Sequence, residues 1–217
     1  MSLRGRPAKI LVAPPAGTPA LPAMTLPTQL SCLRIVLTFL IMLLLFIPGS
    51  VAKAAALGGF AAAGLTDWLD GYIARRWNQR SDLGALLDPI ADKVLVLGMF
   101  LAFVQLRLIP AWMVLIIALR ESVITGVRLF AASRQIVLAA SADGKQKTVS
   151  QMVTIVVILA VLFLKALESE GARLPLTDAA MQWLVLGCLW VTMGLTLISG
   201  ASFFRRHWAA LRHAMGR

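Results

Sequence analysis

The chain has 217 residues, of which 59% are hydrophobic and only 14% charged, with a mean hydropathy of +0.82. That balance excludes an ordinary soluble domain, which needs far more polar surface to face water. The net charge of +11, from 21 Lys and Arg against 10 Asp and Glu, points to membrane topology and anionic lipid and away from nucleic acid.

Residues 1–23 hold five of the ten prolines among Ala, Gly, Arg and Lys, and read as a disordered tail or an extension ahead of Met24. The short apolar run Ile10 to Val12 is cut by Pro14 and Pro15, so no cleaved signal peptide is expected. Apolar runs of about 20 residues then recur, each able to cross roughly 30 Å of hydrocarbon as a helix. They predict six membrane helices at 29–47, 53–76, 83–104, 110–132, 147–167 and 181–204, within one catalytic unit of residues 24–206. Pro48-Gly49, Pro110 and Leu174 to Thr177 punctuate the breaks, and residues 207–217 read as a basic tail. Cys32 and Cys188 sit in apolar stretches and read as packing residues. His207 and His213 lie among Arg205, Arg206, Trp208 and Arg212, where a solvated or headgroup-facing role is expected.

Basic residues fix the orientation, because cytosolic loops accumulate Lys and Arg. Only Lys53, Arg107, Lys165 and Arg173 fall in breaks that would face outward, and the other seventeen lie in the termini, the remaining breaks or adjoining helix ends. An even number of spans with both termini cytosolic satisfies this pattern.

The stretch Ala63 to Val94 contains half of the acidic residues. Asp67 and Asp70 are three apart and share a helical face with the small residues Gly71 and Ala74, while Asp88 and Asp92 are four apart, with Gly84 one turn before Asp88. The polar link Arg76 to Ser81 reverses the chain, so two antiparallel helices bring the two acidic edges together. Each ionised aspartate within a membrane helix costs about 2.5–3.5 kcal/mol, so four unpaired would cost on the order of 10 kcal/mol. Hard divalent cations such as Mg²⁺ compensate such a cluster, and two of them can clamp a diphosphate while polarising its phosphorus. Phosphoryl chemistry is the expected outcome.

Asp67, Asp70, Gly71, Ala74, Arg75, Gly84, Asp88 and Asp92 meet in full the pattern D-x2-D-G-x2-A-R-x8-G-x3-D-x3-D. In this the chain resembles the CDP-alcohol phosphatidyltransferases, six-helix membrane enzymes. The resemblance implies that Asp67, Asp70 and Asp88 hold two ions, Mg²⁺ or Mn²⁺, with Asp92 a further ligand and the general base. It also implies that Asp67, Gly71, Ala74, Arg75 and Ser81, with Thr28 and Ser31 of the segment LPTQLSCLRIVL at 26–37, face the CDP moiety. Thr28 and Ser31 stand where the similar branch of the family has Asn and Thr, which preserves hydrogen-bonding capacity. A homodimer in a bacterial-type inner membrane, with the active site facing the cytosol, is a further implication.

Arg120-Glu121, Arg128 and the segment Gly144-Lys145-Gln146-Lys147-Thr148 add a second signal. Arg120 and Arg128 are eight apart near one face, and Lys145 and Lys147 precede the expected fifth helix, whose N-terminus attracts anions. Guanidinium forks and ammonium groups recognise phosphate, so these four residues predict a trap for a phosphorylated acceptor. Together with the resemblance they imply transfer of a phosphatidyl group from CDP-diacylglycerol to sn-glycerol 3-phosphate, with release of CMP. Inositol phosphate or serine as acceptor is the alternative within the same chemistry. A carboxylate-lined ion or metal transporter is the alternative outside it.

Overall fold

The computed structural model describes the backbone of residues 26–77, 82–135, 142–172 and 177–215. It describes side chains within these ranges except at 26–27, 67–89, 142–143, 145, 209–211 and 213–215. The expected N-terminal tail, residues 1–23, lies outside the described residues. Six helices follow in order: α1 Leu26–Phe46, α2 Ser50–Trp77, α3 Asp82–Gln105, α4 Ala111–Ser133, α5 Ala142–Ser169 and α6 Asp178–Met215. There is no strand among the described residues. The expected six-helix bundle is therefore present. Thr28–Phe46, Gln146–Ser169 and Asp178–Trp208 are long and apolar enough to cross a bilayer by length and composition. The chain is a membrane protein.

Two helices depart from the sequence expectation. α6 continues eleven residues past 204, to Met215, because Ala209, Ala210 and Leu211 are strong helix formers and no Pro or Gly intervenes before Gly216. α5 begins at Ala142, before Gly144, so Lys145 and Lys147 lie inside its first turns rather than ahead of its N-terminus. A single glycine near a helix start costs only about 1 kcal/mol and does not end the helix.

The helices pack as a closed ring in the order α1, α2, α5, α6, α4, α3, with α3 and α5 also meeting across it. α1 is held closely on both sides by glycines. A Cβ added at Gly59 of α2 would stand 3.1 Å from Ile41, and one at Gly98 of α3 would stand 3.1 Å from Thr38 and 3.3 Å from Met42. Helices in lipid gain little from burying apolar surface, so association rests on this kind of close backbone approach. Ile41, Leu45, Phe60, Leu95, Met99, Phe100 and Phe103 fill the interior around it.

One end of the bundle is closed by backbone and side-chain caps. α3 ends on Arg107 at φ 57, with Leu108 N–H donating to Phe103 O at 3.0 Å, and α5 ends on Gly171 at φ 98, with Ala172 N–H donating to Leu167 O at 3.1 Å. Both are left-handed caps that satisfy the last helical carbonyls. Lys53 Nζ donates to the carbonyls of Leu45 (2.5 Å) and Ile47 (2.8 Å) at the end of α1. Glu170 accepts from Ser50 N–H and Ser50 Oγ, both at 2.7 Å, and so caps α2 from the far end of α5. The opposite end carries the polar machinery.

Candidate active site

Polar side chains from five helices converge at the end where α2 stops and α3 starts. Arg34, the one charged residue in the α1 sequence and 1% exposed, places Nη1 2.5 Å from Asp92 Oδ1 of α3, whose side chain is 51% exposed. The neighbouring Lys93 donates from Nζ to Thr125 Oγ1 of α4 at 2.6 Å. Glu121 of α4 pairs with Lys147 Nζ of α5 and lies 3.3 Å from Arg120 Nη1. Arg120 Nη2 in turn donates to Ser199 Oγ of α6 at 2.6 Å. Arg128, two turns further along α4, lays its guanidinium 5.4 Å from the centre of the Phe203 ring of α6.

These groups surround a cavity of about 210 Å³ lined by Asp92, Lys93, Val96, Leu97, Ile117, Glu121, Lys147, Thr148 and Gln151. Two carboxylates, Asp92 and Glu121, and two ammonium groups, Lys93 and Lys147, thus face one space with the apolar residues Val96, Leu97 and Ile117. Around the buried Lys147 charge–charge interactions are stronger than in water, whereas Asp92 is half open to solvent. Lys147 is 8% exposed and Gln151, one helical turn below it, 3%. Such burial of charge is supported here by the ion pairs with Glu121 and by the bonds to Thr125 and Ser199.

Of the candidate residues read from the sequence, the structure brings Asp92, Lys147 and, through Glu121, Arg120 to this cavity. Arg128 packs on Phe203 and is not among the residues that line the cavity. Glu121 pairs with two cations, Lys147 and Arg120. Thr28 and Ser31 are buried on the first two turns of α1. Asp67, Asp70, Gly71, Ala74 and Arg75 belong to the last three turns of α2, and Gly84 and Asp88 to the first two turns of α3. Their side chains, with that of Lys145, lie outside the described residues, as does Ser81. Among the described residues no three His, Cys, Asp or Glu gather to hold a metal, since three of the four aspartates in question are not among them. The donor set itself suits a hard divalent cation. It offers carboxylate oxygens only, on two helices separated by four residues, and its described member Asp92 opens onto the cavity.

Three residues escaped sequence reasoning. Arg34 carried a usable signal, an isolated ionisable residue in a membrane helix. Gln151 sits four residues after Lys147 on the same face, a weaker cue. Ser199 had none, since a serine in an apolar helix is unremarkable.

A family model for CDP-alcohol phosphatidyltransferase matches residues 24–198. The chain belongs to the CDP-alcohol phosphatidyltransferase family. This family is generally dependent on divalent metal. Among the relatives of this CDP-alcohol phosphatidyltransferase is a Bacillus subtilis protein named CDP-diacylglycerol–glycerol-3-phosphate 3-phosphatidyltransferase, 36% identical over 199 residues that cover 86% of the chain and 97% of the relative. A Cereibacter sphaeroides protein of the same name is 32% identical, with 70% and 80% covered. A rice protein named cardiolipin synthase (CMP-forming) is also 32% identical, over 87% of the chain but 59% of its own length.

Proposed function

We propose that this chain transfers the phosphatidyl group of CDP-diacylglycerol to sn-glycerol 3-phosphate, releasing CMP. The observation that carries the reading is the shared cavity. Asp92, the last aspartate of the eight-residue signature, opens onto the same space as Lys147 and Lys93. A carboxylate able to take a proton thereby faces cations able to hold an anion. The name and coverage of the Bacillus relative support the same acceptor.

In this reading residues 24–206 form the catalytic unit, with both termini and the site on the cytosolic side of a bacterial-type inner membrane, and the resemblance alone supports a homodimer. Asp67, Asp70, Asp88 and Asp92 would hold two divalent ions, Mg²⁺ or Mn²⁺, which when bound neutralise the diphosphate and polarise its phosphorus. Asp67, Gly71, Ala74, Arg75, Ser81, Thr28 and Ser31 take the CDP moiety. Lys147, Arg120, Arg128 and Lys145 hold the acceptor phosphate, and Glu121 keeps Lys147 and Arg120 together. Arg34 fixes the Asp92 carboxylate. Asp92 accepts the proton of the primary hydroxyl as its oxygen attacks the phosphorus bearing diacylglycerol, and CMP leaves. Positioning of both substrates in one cavity supplies the rest of the rate.

The test is purified chain in detergent with CDP-diacylglycerol, Mg²⁺ or Mn²⁺ and a panel of alcohols including glycerol 3-phosphate, inositol phosphate and serine, following CMP release. The expected result is a response to glycerol 3-phosphate, abolished by a chelator and reduced at least about 100-fold in Asp92→Asn, which still binds CDP-diacylglycerol. A response to a different alcohol only would overturn the acceptor assignment.

A further inference from the structure

Gln151 holds a position that the phosphate trap and the aspartates leave without a role. Its side chain is 3% exposed, and its Nε2 is fully buried with no hydrogen-bond partner among the described residues. Buried amides are paired as a rule, because an unmade hydrogen bond forfeits the full cost of leaving water. The exceptions concentrate where a ligand completes the pairing. Gln151 also lines the cavity that Asp92 and Lys147 share. It lies one turn further along α5 than Lys147, and the two line this cavity together with Val96 and Ile117.

From this placement we infer that Gln151 is the specificity-determining residue for the acceptor's carbon backbone, its amide donating to the secondary hydroxyl of glycerol 3-phosphate. The inference rests on the proposed acceptor. The geometry assigns separate tasks to the three polar groups: Lys147 takes the phosphate, Asp92 takes the proton of the attacking hydroxyl, and Gln151 reads the hydroxyl between them. A donor already desolvated by the surrounding protein discriminates strongly, since an acceptor without that hydroxyl leaves the amide unpaired. A neutral amide also suits this position better than another cation, which would compete with Arg34 for the Asp92 carboxylate.

The experiment compares glycerol 3-phosphate with 3-hydroxypropyl phosphate, which keeps the phosphate and the primary hydroxyl but lacks the secondary one. The readout is kcat/KM for CMP release at saturating CDP-diacylglycerol. Wild-type protein is expected to favour glycerol 3-phosphate by about 10- to 100-fold. In Gln151→Leu that preference falls to within about threefold of unity, through loss on glycerol 3-phosphate alone. If Gln151→Leu does not fold, Gln151→Met, unbranched and of similar length, carries the same expectation. An equal loss on both acceptors would mean that Gln151 serves the phosphate or the packing, and would overturn the inference while leaving the acceptor assignment intact. Wild-type protein that releases no CMP with glycerol 3-phosphate would overturn both.

Discussion

Arg34 of α1 reaches Asp92 of α3 at 2.5 Å across 58 positions of sequence, and it does so from a side chain only 1% exposed. A guanidinium buried in a membrane helix needs a counter-ion, and Asp92 supplies one. Replacing it by Met keeps the length and removes the charge, which leaves Asp92 without this counter-ion. CMP release is expected to fall about 10- to 100-fold in Arg34→Met, discounted from a fully buried pair because Asp92 is half open to solvent. Arg34→Lys should recover only part of the loss, because an ammonium is a point charge without the planar fork. Turnover unchanged in both variants would remove Arg34 from the site.

The pairing of Lys147 with Glu121 makes a separate prediction about the acceptor. Lys147→Ala should raise the KM for glycerol 3-phosphate about 10- to 100-fold and leave that for CDP-diacylglycerol within about twofold. Arg212→Ala, at an exposed position near the end of α6 where the guanidinium covers Trp208, serves as the remote control. Equal effects of the two changes would show that the cation acts through general charge and not through the cavity.

Close packing of α1 can be probed far from any charge. Gly98→Val would drive a branched side chain into Thr38 and Met42, whose nearest atoms already lie 3.1 and 3.3 Å from an added Cβ. The expected destabilisation is about 1–3 kcal/mol, read as a lower melting midpoint in detergent. Gly58→Ala, where an added Cβ meets nothing within 4 Å, should not lower the midpoint and, through helix propensity, should raise it slightly.

Glu170 gives stability a pH dependence. The Ser50 hydroxyl first, and the Ser50 N–H second, hold its carboxyl below the ordinary value of 4.5. A carboxylate whose folded pKa is depressed stabilises fully above its unfolded pKa and progressively loses that contribution as pH falls through the folded one. Glu170→Ala should therefore melt lower than wild type at pH 7, with the gap narrowing below about pH 4.5. A gap that stays constant down to pH 3 would mean that the cap acts through shape and not through charge.

Much of this was legible in the sequence because the bilayer imposes simple demands. Six apolar runs and their breaks gave six helices, since a backbone in hydrocarbon must satisfy its own hydrogen bonds. The acidic cluster and the cationic segment announced themselves by their cost in such surroundings. What could not be read was set by packing across helices. Nothing in the local sequence says that Arg34 turns towards Asp92, that Glu121 takes both Lys147 and Arg120, or that Ser199 receives Arg120 from another helix. The true end of α6 was missed for a different reason: hydropathy falls after Phe204 while helix propensity does not, and the two signals answer different questions.

That extra length has a geometric meaning. At 1.5 Å per residue the 38 residues of α6 span about 57 Å, nearly twice the thickness of hydrocarbon they can occupy. Ser199 lies about 32 Å along this rod from Asp178, so if Asp178 marks one water boundary, Ser199 and the guanidinium it grips mark the other. A greasy molecule sliding within its own leaflet and a dissolved one arriving from the aqueous phase could then reach the same spot, with neither having to leave its solvent.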